Sequence, residues 1–153
     1  LEEQIKLFRQ LWSRDRVSFS LAEERFEGVG ISSRPNGEAT PIWIGVSPEP
    51  PVQALERIGR LADGWFTMCR VDQFESQNKV VLESAERSGR ITSEIGVEAE
   101  VFIVDLTPDN FISLVKRWRD EGVSYISLST LGLDGDSSGH LKQLANGLEL
   151  LEK

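Results

Sequence analysis

The 153-residue sequence contains one cysteine and one histidine, and it has no excess of basic residues. Because Cys69 is alone, it cannot form a disulfide within the chain, which favours a reducing, cytoplasmic location. No apolar run approaches the roughly 20 residues that a membrane-spanning helix needs, and no signal-peptide pattern opens the chain. A net charge of −8 leaves no basic surface for polynucleotide phosphates. These absences argue against secreted, membrane and nucleic-acid-binding proteins.

What the sequence does contain is typical of a soluble globular domain. Hydrophobic residues make up 39% of the chain and charged residues 27%, enough for a buried core. The chain begins at Leu1 inside a predicted helix and without an initiator methionine, so we expect a processed or partial sequence.

Residues 1–40 differ in character from the rest of the chain. Ile5, Phe8, Leu11 and Trp12 recur at helical spacing, which predicts a helix over residues 1–12 that lies on a larger body. The segment from residue 13 to residue 40 then predicts a loose hairpin followed by a loop, because alternating apolar residues precede the turn-forming stretch "SSRPNGEAT".

From Pro41 onward, short apolar runs alternate with helical patterns. The helix in "TPDNFISLVKRWRDEG" is the clearest, with Thr107 as its N-cap, Pro108 in its first turn and Gly122 at its end. The last predicted helix carries the apolar residues Leu141, Leu144, Ala145, Leu148 and Leu151. The pattern predicts four strand–helix units, with strands over residues 42–46, 64–68, 96–105 and 124–129, and helices over residues 51–62, 72–88 and 107–122 and at the end of the chain.

Four strands, each followed by a helix, imply parallel pairing with right-handed crossovers. An open doubly wound sheet and part of a (β/α)8 barrel both satisfy this order. In the last strand Ile126 and Leu128 would face the helices while Ser127 and Ser129 face the other way, which suits a barrel interior better than a second helix layer. A whole barrel needs roughly 250 residues. We therefore predict an α/β fold, a partial barrel of about four parallel units.

The turn after the first of these strands has the features of an anion site. Gly45, Val46 and Ser47 lie between a strand and a helix, where unpaired N–H groups and the helix dipole favour a phosphate. The prolines that follow, at positions 48, 50 and 51, reduce the number of donors. A glycine that ends the strand because the backbone must bend explains the pattern equally well.

Several ordered motifs together resemble one known family. The chain contains, in order, "LFRQLWSRDRVSF…RFEGVGISSRP", "PIWIG", "RLADGWF", "WRDEGVSYISLSTLGL" and "HLKQL". This series of motifs is similar to that of the bacterial luciferase-like monooxygenases, which are flavin- or deazaflavin-dependent oxidoreductases. The resemblance covers essentially the whole chain. It implies the carboxyl-terminal half of a (β/α)8 barrel, with residues 1–153 as one partial domain, residues 1–40 as an inserted helix and hairpin, and residues 41–153 as four units.

The resemblance also implies an activity and a cofactor. We expect a cytoplasmic oxidoreductase or monooxygenase that uses reduced FMN or coenzyme F420 on a small organic substrate. Gly45, Val46 and Ser47 match the family's phosphate-binding loop, although Val46 replaces its usual second glycine. The alternative is a non-catalytic half-barrel that binds a partner or self-associates through exposed sheet edges, and we expect a homo-oligomer or such edge association in either case.

Further candidates lie where strands end, since barrel enzymes place their sites at the carboxyl ends of the strands. Thr67 and Cys69 follow this rule in one strand, and Ser129 and Thr130 in the last, so we predict that they line the substrate site. A lone cysteine without a neighbouring base is usually a buried residue rather than a nucleophile. No residue is assigned a catalytic role, and no metal site is predicted.

Overall fold

The computed structural model describes residues 1–21, 23–35, 40–104 and 106–151. Its contacts divide the chain into two units, Leu1–Ile42 and Trp43–Lys153. The prediction that residues 1–153 form one partial barrel domain stays a prediction. Within the described part, no helix has both the length and the apolar character needed to cross a membrane.

The first unit is a helix followed by a hairpin, as the sequence predicts. Helix α1 spans Glu2–Ser13, and strands β1 (Val17–Leu21) and β2 (Glu24–Val29) pair antiparallel. Phe19 and Phe26 stack across the two strands with ring centroids 4.9 Å apart, a cross-strand pairing that stabilises a hairpin. The centre of the predicted loop, residues 36–39, lies outside the described residues.

The second unit is a four-stranded parallel sheet in the order β3-β4-β5-β6, which confirms the predicted α/β class and strand–helix alternation. Each strand is followed by a helix, and a short 3-10 turn, Thr92–Glu94, precedes the third strand. In chain order the elements are β3 (Trp43–Gly45), α2 (Val52–Leu61), β4 (Gly64–Thr67), α3 (Val71–Arg87), β5 (Gly96–Phe102), α4 (Pro108–Asp120), β6 (Tyr125–Ser129) and α5 (Ser137–Leu151).

Helix α4 begins and ends as its sequence predicts. The Thr107 side chain accepts a hydrogen bond from the main-chain N–H of Asn110 at 3.3 Å, and Pro108 occupies the first turn. Gly122 follows the helix with φ of +82°, a conformation that glycine adopts without strain. These end signals place α4 correctly from sequence.

The sheet has one face covered by helices and an opposite face of different composition. The helix face contributes Trp65, Val97, Ala99 and Val101 to a buried core that also takes side chains from α2, α3 and α4. Ile126 and Leu128 pack against this core, as predicted for the last strand. Period-two alternation places the remaining side chains on the opposite face, including the predicted Ser127 and Ser129, together with Trp43, Phe66, Glu98, Glu100, Phe102 and Tyr125.

On the opposite face, the Trp43 indole lies over two glycines at the amino ends of neighbouring strands. A Cβ added at Gly64 would lie 2.4 Å from the indole, and one at Gly96 would lie 2.7 Å from it. The same indole contacts the rings of Phe66 and Tyr125 with centroid distances of 5.4 and 5.6 Å. Both positions therefore need glycine, because a side chain at either one would collide with the Trp43 indole.

The predicted final helix is present as α5, and its contact face is centred on a glycine. Leu141 and Leu148 are 67% and 56% exposed, whereas Gly147 is buried. A Cβ at Gly147 would lie 3.3 Å from the Leu128 side chain, so the helix approaches the sheet closely at this residue.

Candidate functional site

The segments that follow the four parallel strands all lie at one edge of the sheet, because parallel strands share the direction in which they end. This carboxyl-terminal edge carries every residue that the sequence nominates for cofactor or substrate. The first segment is residues 45–51, the last residue of β3 together with the residues before α2, which we call the β3–α2 loop.

In the β3–α2 loop, the main chain is accessible at Gly45 and hydrogen-bonded at Val46. Gly45 is exposed, and a Cβ built on it would have no other residue within 4 Å. The side chain of Val46 is buried, and its N–H donates to the carbonyl oxygen of Phe66 at 3.4 Å. Ser47 is exposed. Since the Val46 N–H donates to β4, it is not available to a phosphate. The predicted phosphate donors that remain are the N–H groups of Gly45 and Ser47 and the Ser47 hydroxyl.

Helix α2 begins directly after this loop without a side-chain cap. Its N-cap residue is Pro51, which makes no side-chain cap hydrogen bond. The first N–H groups of such a helix attract an anion through both hydrogen bonding and the helix dipole. Glycine, serine and an uncapped helix start therefore give the loop the donor chemistry that a phosphate needs.

Thr67 and Cys69 lie together at the end of β4, and both are buried. The Thr67 Oγ1 atom is 3.0 Å from Cys69 Sγ, and it accepts a hydrogen bond from the Cys69 N–H at 3.4 Å. Burial raises the pKa of the Cys69 thiol, and the hydrogen bond from Thr67 opposes this shift only in part. The thiol therefore stays protonated near neutral pH, which argues against a nucleophilic role.

A pocket of about 450 Å³ lies beside Cys69. Residues 68–72 form one wall, Glu100 and Phe102 of β5 contribute to the next, and Leu106 and the α4 residues Leu114, Arg117 and Trp118 complete the lining. Small-molecule sites commonly measure about 300–1,000 Å³ and are mainly apolar with a few polar groups. The pocket matches that description. Thr67 does not contribute to its lining.

The rim of the pocket carries an ion pair. Arg70 Nε donates to Asp72 Oδ1 at 3.0 Å, and Arg70 Nη2 donates to the other carboxylate oxygen. This hydrogen bonding lowers the pKa of Asp72 and raises that of Arg70, and the positive charge of Arg117 lowers the Asp72 pKa further. Asp72 is therefore an anion at neutral pH, and it engages one of the two arginines of the pocket.

At the far side of the edge, Ser129 and Thr130 follow β6. The Ser129 hydroxyl accepts a hydrogen bond from the Leu131 N–H at 3.3 Å. Thr130 Oγ1 lies 2.8 Å from Nδ1 of His140, in the first part of α5. Since β5 separates β4 from β6, the predicted substrate-lining residues form two groups, Thr67 with Cys69 and Ser129 with Thr130.

The sequence prediction omitted most residues of the pocket. Arg70, Asp72 and Arg117 belong to helix starts and helix surfaces, where charged residues are normal and give no signal. Glu98 and Glu100 gave no signal either, because they occupy the polar positions of the alternation in β5, where a solvent-facing residue is expected. Among the described residues, no group of three His, Cys, Asp or Glu side chains is placed to hold a metal ion.

The chain is similar in sequence to curated F420-dependent dehydrogenases. It is 33% identical over 104 residues to the F420-dependent hydroxymycolic acid dehydrogenase of Mycobacterium tuberculosis, covering 68% of this chain and 28% of that protein. It is 32% identical over 122 residues to the F420-dependent glucose-6-phosphate dehydrogenase of Mycolicibacterium fortuitum, covering 77% of this chain and 35% of that protein. The chain thus spans about a third of the length of these relatives.

Solved structures confirm the fold. An F420-dependent secondary alcohol dehydrogenase in complex with an F420-acetone adduct aligns with a TM-score of 0.68 at 13% identity, over 82% of this chain and 54% of that one. The coenzyme F420 dependent tetrahydromethanopterin reductase from Methanopyrus kandleri aligns with a TM-score of 0.69 at 14% identity, over 98% of this chain and 60% of that one. At such identities the likeness concerns the fold alone, and it confirms the predicted partial (β/α)8 barrel.

The family itself is shown by sequence. The model that describes luciferase-like monooxygenases matches residues 1–149, nearly the whole chain. The resemblance read from the ordered motifs is confirmed, and the chain belongs to the luciferase-like monooxygenase family.

Proposed function

We propose that this chain is the carboxyl-terminal part of an oxidoreductase that uses coenzyme F420 to transfer hydride to or from a small organic substrate. One observation carries the proposal: a small-molecule-sized apolar pocket and an accessible, donor-rich loop lie at the same carboxyl-terminal edge of the parallel sheet. The names of both curated relatives and both solved structures favour F420 over FMN.

The β3–α2 loop holds the phosphate-bearing side chain of the cofactor. The fit rests on Gly45, whose main chain a phosphate can approach because no neighbouring atom occupies the space beside its α-carbon. The N–H groups of Gly45 and Ser47 donate to the phosphate, and the exposed Ser47 hydroxyl adds a further hydrogen bond. Val46 contributes by fixing the loop to β4 rather than by contacting the ligand.

The pocket beside Cys69 receives the substrate. Apolar side chains from β5 and α4 exclude water, and Arg70, Asp72, Glu100 and Arg117 supply the polar contacts that orient a bound molecule. Cys69 lines the pocket as a neutral thiol and is not a nucleophile. When bound, the cofactor supplies the hydride chemistry, so this part of the protein binds, orients and excludes water.

A titration of the full-length protein tests the proposal. We expect F420 fluorescence to change saturably on binding, and we expect Ser47→Ala to weaken that binding by about 1 kcal/mol, the value of one hydrogen bond. Ser113→Ala, at an exposed position of α4, serves as the matched control and should bind F420 like the unaltered protein. A parallel titration with FMN tests the alternative cofactor. The proposal is rejected if F420 does not bind saturably, and saturable binding of FMN alone would assign the alternative cofactor.

A further inference from the structure

Helix α3 and the residues just after it are held firmly against helix α2. A Cβ at Gly59 of α2 would lie 2.2 Å from the Val81 carbonyl oxygen, so the helices approach each other as closely as their backbones permit. Ser84 Oγ donates to the Glu56 carbonyl oxygen at 2.8 Å, and Arg90 Nη1 donates to the Gly59 carbonyl oxygen at 2.7 Å. The position of α3 relative to α2 is therefore well defined.

A fourth contact extends from the same helix to the β3–α2 loop. Gln77, two turns nearer the start of α3 than Ser84, donates from Nε2 to the Pro48 carbonyl oxygen at 2.9 Å. The two residues are 29 positions apart in sequence. Because Pro48 and Pro50 carry no N–H groups, the main chain at these two residues can be held only through their carbonyl oxygens.

The orientation of the Gln77 side chain follows from its partner. A carbonyl oxygen only accepts hydrogen bonds, so the amide nitrogen must face Pro48. The other end of the amide, Oε1, is buried and has no hydrogen-bond partner in the described part of the chain. Gln77 therefore makes its hydrogen bond to the loop while its buried Oε1 atom stays unpaired. The unpaired buried oxygen lowers the stability of the folded state.

We infer that Gln77 is a positioning residue for cofactor binding. By holding the Pro48 carbonyl against α3, it fixes the main chain of Ser47, the residue directly before it, in the orientation that receives the phosphate. Because its hydrogen bond is to the β3–α2 loop, we expect it to affect only ligands that carry the phosphate. This inference rests on the proposed function.

The experiment compares Gln77→Met with the unaltered full-length protein and with Gln143→Met, the same substitution at an exposed position of α5. Each protein is titrated with F420 and with the deazaflavin core that lacks the phosphate-bearing side chain. Methionine matches glutamine in length but lacks both the donor and the unpaired oxygen, so the melting temperature should not fall. We expect the Kd for F420 to rise about fivefold, the equivalent of one hydrogen bond, and the Kd for the core to change less than twofold.

The possible outcomes separate the two claims. An unchanged Kd for F420 in Gln77→Met overturns the positioning role and leaves the proposed function standing. An equal loss for both ligands also overturns it, because a general structural defect does not discriminate between them. If the unaltered protein itself fails to bind F420, the proposed function falls and the role of Gln77 falls with it. Should Gln77→Met not fold, Gln77→Asn, which keeps the amide but is too short to reach Pro48, decides the question by the same comparison.

Discussion

Strand β4 and the two residues that follow it have two sides that differ sharply in burial. Trp65, Thr67 and Cys69 are 0%, 2% and 6% exposed, whereas Phe66 and Met68 between them are 40% and 52% exposed. The helix face is a close-packed core, and the opposite face carries large apolar side chains that are only partly covered within this chain. Apolar residues that look alike in the sequence, such as Trp65 and Phe66, are therefore expected to contribute very differently to the free energy of unfolding.

The largest expected effect tests this difference directly. Trp65 stacks on Phe74 of α3 with ring centroids 5.8 Å apart, so Trp65→Ala should lower the free energy of unfolding by about 3–5 kcal/mol. Phe66→Ala, at the neighbouring position on the opposite face, should cost about 1 kcal/mol, because less apolar area leaves water at that site on folding. Urea unfolding of both variants measures the two losses.

A more conservative change refines the same prediction. The Nε1 atom of Trp65 is buried and has no hydrogen-bond partner among the described residues. Trp65→Phe removes that unpaired donor together with part of the ring, so its cost should be well below that of Trp65→Ala. Equal losses for Trp65→Ala and Phe66→Ala would show that burial in this chain does not govern the stability of the two faces.

The helix face is also the part of the molecule that sequence predicts well. Alternation in "GVEAEVF" identifies β5 and the side of it that is buried, and the signals at Thr107, Pro108 and Gly122 place α4. Such patterns are local, because period and end signals depend on neighbouring residues. The four-unit order then follows from the connection rules for parallel strands.

Features that depend on distant residues were not predictable in the same way. The contact face of α5 is set by the close approach of Gly147 to Leu128, which hydrophobic periodicity does not register. The pocket beside Cys69 combines residues 68–72 with residues of β5 and α4, and the contact between Gln77 and Pro48 joins a side chain to a carbonyl group far along the chain. The candidate phosphate loop could be predicted because glycine and serine at the end of a strand are themselves a local pattern.

The second prediction concerns the opposite face, where close packing is confined to one spot. Gly64→Ala places a methyl group against the Trp43 indole, and such overpacking should cost about 1–3 kcal/mol of unfolding free energy. Gly45→Ala is the matched control, because no other residue lies near its added Cβ. Adding Trp43→Leu to Gly64→Ala should make the glycine substitution nearly neutral, as a double-mutant cycle in urea measures. Additive losses would contradict the packing of Trp43 on Gly64.

The smallest expected effect is a pH dependence at the last buried position of the helix face. Burial raises the pKa of the Cys69 thiol above that of the same thiol in the unfolded chain, so the folded state holds this proton more tightly. The resulting stabilisation is fully present below the unfolded pKa and is lost as the pH rises through the folded pKa. Urea unfolding between about pH 7.5 and pH 10 should therefore show a steeper alkaline loss of stability for the unaltered protein than for Cys69→Ala, which has no thiol to ionise. If the free energy of unfolding of the two proteins has the same pH dependence, Cys69 is solvated in the folded state. The close packing on the helix face would then end before Cys69 and would not extend to the wall of the pocket.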